Sequence, residues 1–131
     1  MASHITARTA GGWKVEASNG THAITLDLQP ADGGLGDGLG PHETLLGALA
    51  GCTVMTLQMY AKRKAWPLEG VELDLHQLPA TPTTPERITV DIRLMGPLDA
   101  EQRARLADIA TKCPVYRTLT NHALEVVEQL L

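Results

Sequence analysis

GALAGCTVMTLQMYA, residues 47–61, carries no formal charge and holds one of the chain's two cysteines among glycine, alanine and threonine. It is the middle of a longer helical segment. Nothing interrupts a helix from Pro41 to Trp66: Pro41 suits a first turn, Lys62, Arg63 and Lys64 suit the negative end of the dipole, and Trp66-Pro67 ends it. Apolar residues run all the way round, which predicts a helix buried on most sides. The charge-free run Thr44–Ala61 approaches the ~20 residues of a membrane span. Its Thr44, Thr53, Thr56 and Gln58, and the amphipathic strands that follow it, favour the central helix of a soluble protein with no membrane partner.

Upstream, GWKVEASNGTHAITLDLQ (12–29) alternates apolar and polar residues on both sides of Asn19-Gly20, predicting a hairpin with a type I′ turn. ADGGLGDGLGP (31–41) has five glycines and no apolar periodicity, so a flexible loop is expected, and its spacing fits neither GxGxxG nor GxxxxGK. Downstream, VELDLHQL (71–78) and RITVDIRLM (87–95) read as neighbouring antiparallel strands. Asp99 with Gln102 forms a capping-box pattern ahead of a short helix carrying Leu106, Ile109 and Ala110, which should stop before Pro114. The last segment, ALEVVEQLL (123–131), is ambiguous between helix and strand; Val126-Val127 and the need for a sheet partner tip the expectation to strand. Helices and strands are segregated rather than alternating, which predicts an α+β fold in one domain over 1–131.

At 131 residues, 44% hydrophobic and 20% charged, the chain has the size and composition of one globular domain. A net charge of −4, scattered cations apart from Lys62-Arg63-Lys64, and no Phe argue against nucleic acid as a partner. The first residues, MASHITARTAGG, contain no apolar h-region, so a cytoplasmic location is expected. In that reducing setting two cysteines 61 positions apart are expected as free thiols or a transient redox pair.

Cys52 lies mid-helix beside Gly47 and Gly51, a small-xxx-small groove. Each glycine costs about 1 kcal/mol relative to alanine, which a close packing partner should offset. An apolar site raises a thiol's pKa, so the helix alone leaves open whether Cys52 fills a core or does chemistry. Cys113 stands directly before Pro114 in KCPVYRTL, a natural N-cap position where unpaired backbone N–H groups face the sulfur. Arg117, four residues on, is a candidate neighbouring cation. The five histidines show no HxxxH or CxxC spacing, so a metal site has little support. Glu43, beside His42 in the first helical turn, ordinarily complements the dipole.

GPHETLLGALAGCTVMTLQMYAKRKAWPLEGVELDL, followed 61 residues after its cysteine by KCPVYRTL, resembles the osmotically inducible protein C and organic hydroperoxide resistance (OsmC/Ohr) family across nearly the whole chain. The resemblance implies an antiparallel sheet around a long cysteine-bearing helix in an intertwined homodimer, with the active sites at the interface. It implies reduction of hydroperoxides, with Cys52 matching the peroxidatic and Cys113 the resolving cysteine, and a dithiol reductant such as a lipoyl-bearing protein. His42, Glu43 and Arg117 are then expected to shape the site, and no cofactor or metal is implied. Two positions depart from the pattern. His42 stands ten residues before Cys52, where the family has glutamate, with Glu43 nine before. The glycine-rich loop holds no arginine, and Gly11-Gly12-Trp13 stands for an expected Gly-Gly-Arg, leaving Arg117, or Arg8, as the available cations.

Overall fold

The structure, a computed structural model, describes residues 2–131. The chain falls into two compact units, one running to Leu45 and the other from Leu46 to Leu131.

In the first unit, β1 (Thr6–Thr9), β2 (Val15–Ser18) and β3 (Ala23–Leu26) form an antiparallel sheet in that order, so the expected hairpin gains a third strand. The β2–β3 turn corrects the sequence expectation. Only Gly20 takes a positive φ, +96°, whereas a type I′ turn needs two such residues. Asn19 instead uses its side chain: Oδ1 accepts the N–H groups of Thr21 (2.9 Å) and His22 (2.8 Å), an Asx arrangement that closes the turn without a second strained residue.

The glycine-rich loop is likewise not the unstructured connector its composition suggests. It begins with a single 3-10 turn, Pro30–Asp32, and folds back on the buried Asp27. The Asp27 carboxylate accepts the N–H groups of Leu28, Leu35 and Asp37 at 2.8, 3.2 and 3.2 Å. Burial pushes this carboxyl up, but those N–H donors and Lys14 outweigh it and hold the pKa below the usual carboxylate range. One ionised side chain thus replaces the hydrogen bonds a glycine-rich backbone does not make to itself.

The helix α1 spans Pro41–Lys64 and continues into the second unit. Ala65 closes it with φ +55° while the Trp66 N–H reaches the Ala61 carbonyl at 2.9 Å. Then β4 (Gly70–Leu78) and β5 (Arg87–Met95) pair antiparallel, with Gly70 opposite Met95 and Leu78 opposite Arg87. A tight bend at Gly96, φ +127°, leads to α2 (Ala100–Ala110), and α3 (Pro114–Thr120) follows. Helix α2 starts as its sequence requires: Asp99 Oδ1 accepts the Gln102 N–H at 2.8 Å and Gln102 Oε1 accepts the Asp99 N–H at 3.0 Å. The core of this unit joins Leu57, Tyr60 and Ala61 of α1 to Leu98, Leu106, Ile109 and Ala110, with Trp66, Leu68, Val71, Ile92 and Leu94 packed around them.

Two further expectations need correction. Helix α1 is not buried on most sides. Leu49, Thr53, Leu57, Tyr60 and Ala61 make one buried stripe, while Met55 and Met59 are 62% and 66% exposed and nothing stands within 4 Å of where a side chain would begin at Gly47 or Gly51. A single layer of β4, β5 and α2 covers only one side of a cylinder whose apolar residues go all round. Nor does 123–131 form a strand: it takes no regular structure, and Leu124, Val126 and Val127 stay exposed. Its backbone finds no strand to pair with among the described residues, and β propensity does not act without a partner.

Candidate active site

The helix α1 carries Cys52 one turn before Thr56, and the start of α3 brings Cys113 to it. Cys113 is the N-cap of α3, as the Cys-Pro pair predicts: its φ and ψ are extended, Pro114 opens the helix, and its Sγ accepts the Tyr116 N–H at 3.3 Å. It is fully buried, and both thiols are free. The Cys113 sulfur also lies 3.8 Å from Oγ1 of the buried Thr53, whose hydroxyl reaches the Leu49 carbonyl at 2.9 Å, a turn back along the helix.

Cys52 is only half-buried, and three groups act on its sulfur beyond its apolar setting. Burial pushes its pKa up, and the neighbouring side chain of Cys113 pushes the same way. The Val115 N–H and the Thr56 hydroxyl pull it down, but the balance leaves the thiol above its ordinary range. No cation is among the groups that act on it. At neutral pH Cys52 is therefore a protonated thiol.

The structure thus brings Cys113 against the turn of α1 that carries Cys52, although sequence separates the two by 61 positions. It does not add Arg117 to them: that side chain is exposed on α3 and, among the described residues, makes no side-chain hydrogen bond or ion pair. In the first unit Arg8 is paired with Glu16 at 3.1 Å. Glu43 closes the N-terminus of α1, its Oε1 accepting the Gly40 N–H at 2.9 Å, and His42 is exposed in the same turn. Thr53, Thr56 and Val115 belong to the site without standing out in the sequence. The two threonines carry a visible signal, being hydroxyls one and four positions after the cysteine in an otherwise apolar helix; Val115 acts through its backbone and carries none.

No curated protein matches this chain in sequence. Several solved structures resemble it in shape. An OsmC-like protein from Mycoplasma pneumoniae, 24% identical, superposes with a TM-score of 0.81 over 94% of this chain and 90% of that one. An organic hydroperoxide resistance protein OsmC from Legionella pneumophila gives a TM-score of 0.63 at 22% identity, covering 89% of each chain. The organic hydroperoxide resistance protein OhrB of Bacillus subtilis gives 0.64 at 19% identity, covering 93% of each. At these identities the structures testify to the fold, an α+β arrangement of antiparallel strands and a long cysteine-bearing helix. Membership comes from the sequence pattern: the model of the OsmC-like protein family matches residues 34–128, a span that includes both cysteines, and the chain belongs to that family.

Proposed function

We propose that this protein reduces organic hydroperoxides through its thiols, with Cys52 as nucleophile and Cys113 as the thiol that resolves it. The observation that carries the reading is that Cys113, 61 positions from Cys52 in the chain, stands at the N-cap of α3 against Thr53, the residue next to Cys52 on α1. The chemistry uses both thiols. The Cys52 thiolate attacks one peroxide oxygen, the O–O bond breaks, and the alkoxide leaves with a proton as the alcohol, so that Cys52 becomes a sulfenic acid. The Cys113 thiol then attacks that sulfur, expelling water and forming a disulfide, and an external dithiol, in keeping with the family a lipoyl-bearing protein, returns both thiols. Two of the similar structures are described as organic hydroperoxide resistance proteins, which fits. The reaction needs a cation that the resting thiol lacks, and Arg117, four residues beyond Cys113, is the candidate within the chain. Reduced protein mixed with excess cumene hydroperoxide should lose both free thiols; two thiols still titrating with a thiol reagent would sink the proposal.

A homodimer is part of the same proposal. The open groove at Gly47 and Gly51 and the exposed Ala48, Met55 and Met59 form an apolar helix face that this chain leaves uncovered, and the unpaired apolar segment 123–131 offers a strand for exchange. Sedimentation equilibrium should give twice the 14.0 kDa chain mass; a single-chain mass at micromolar concentration would contradict it.

One observation favours a second reading. A thiol pushed up by burial, with no cation acting on it, suits a dimer that binds a small apolar or electrophilic ligand and keeps its cysteines as redox sensors. Catalytic turnover separates the two: repeated consumption of cumene hydroperoxide with a dithiol present supports the peroxidase, and a single oxidation of the thiols without turnover supports the sensor.

A further inference from the structure

Next to the thiol pair is a second cluster that the peroxide chemistry does not use. A cleft of about 400 Å³ opens between α1 and α2, a volume within the range of small-molecule sites. Three cations line it: Arg63 from α1, Arg105 from α2 and Lys112 just beyond α2. Asp108 takes two of them, Arg105 at 2.9 Å and Lys112 at 3.8 Å, and Arg63 has no ion pair among the described residues. The positive charge therefore exceeds the negative locally, although the chain as a whole carries −4.

Tyr60 holds this cluster in shape. The guanidinium carbons of Arg63 and Arg105 lie 5.4 and 5.7 Å from the centre of its ring, and the Lys64 ammonium lies at 5.8 Å. Arg105 Nε also donates to the Tyr60 hydroxyl at 3.0 Å. That bond, with the charges of Arg105, Lys64 and Arg63, holds the phenol below its usual range despite burial, as expected in a field that favours an anion.

The rest of the lining is apolar: Met59, two-thirds exposed, and Ile109. Thr56, one turn after Cys52 on α1, and Lys112, directly before Cys113, complete the lining. Met59 also lies at the edge of the helix face assigned above to a second copy, so the cleft is at the rim of that contact.

Preformed cations and apolar side chains in one cleft, whose lining adjoins both cysteines along the chain, make a site for a molecule with an anionic head and a hydrocarbon body. We propose that this cleft binds an aliphatic carboxylate, its head between Arg63 and Lys112 and its chain along Met59 towards Thr56 and Cys52. The inference goes beyond the peroxide reading and does not depend on it, because binding needs no reaction at sulfur.

Calorimetry on the full-length reduced protein, with octanoate, octanol and inorganic phosphate as probes, tests it. Octanoate should bind, with octanol and phosphate each weaker by about tenfold or more, because only octanoate offers both head and chain. R63A and K112A should each weaken octanoate by about tenfold while leaving the unfolding midpoint unchanged, since both side chains lie at the surface. Saturating octanoate should also slow alkylation of Cys52 by iodoacetamide. Octanol binding as tightly would reduce the site to an apolar groove, and phosphate binding as tightly would reduce it to a bare anion patch. Either result overturns the proposal, as do undetectable octanoate binding, unaltered affinity in both variants, or Cys52 alkylation indifferent to octanoate. Because no arm uses peroxide, loss of the peroxidase reading would leave these outcomes readable.

Discussion

Replacing Cys52 with serine is expected to lower hydroperoxide consumption by at least about a thousandfold, because a hydroxyl does not form the anion that attacks the O–O bond. C113S should behave differently, permitting one oxidation per chain and then stalling as a sulfenic acid that dimedone traps. The sign of the pH dependence follows from the direction in which Cys52 is displaced. Burial and the neighbouring Cys113 raise its pKa, so the reactive thiolate is the minor form at neutral pH and grows as pH rises. The rate of the first oxidation, followed by stopped flow, should therefore climb about tenfold per pH unit and level off only above the ordinary thiol range. A rate already flat from pH ~6 to ~8 would mean that a cation reaches Cys52 during the reaction, and R117A would then show whether Arg117 supplies it.

The largest effect on stability is expected at Leu106. Its side chain is fully buried in the cluster joining α1, α2 and β5, beside the equally buried Leu57. L106A removes apolar surface and leaves a cavity that rigid helices on either side do not close, costing about 2–5 kcal/mol. That is a large share of the ~5–15 kcal/mol typical of a folded domain. I5A, at a position 59% exposed ahead of β1, should stay within about 0.5 kcal/mol and serves as the control in urea unfolding. Equal losses at the two positions would show that Leu106 does not sit in a closed core.

Elements whose cause lies within a few residues are legible in the sequence. Pro41 opens α1 and the Lys62-Arg63-Lys64 run closes it; Asp99 and Gln102 cap α2; Cys113-Pro114 begins α3; and the two alternating runs are β4 and β5. The departures share one cause. The turn after β2 differs from its expected type because an Asn side chain, rather than a second left-handed residue, closes it. The glycine-rich loop is ordered by Asp27, up to ten residues away, which its own composition does not reveal. The segment 123–131 is no strand because a strand exists only with a partner, and α1 is half-open because an apolar surface does not tell which of its sides the chain itself will cover.

The same boundary runs through the site. Sequence alone determined that Cys52 lies mid-helix among small residues and that Cys113 caps a turn, since both depend on neighbours along the chain and on hydrogen bonds spanning a turn or less. Only the tertiary structure decided that Cys113 comes to rest against the turn of α1 that carries Cys52, and that Arg63, Arg105 and Lys112 gather around Tyr60. Those arrangements join groups dozens of residues apart. What brings them together is the burial of Leu57, Tyr60, Leu106 and Ile109 in one core, a force proportional to area and indifferent to sequence order.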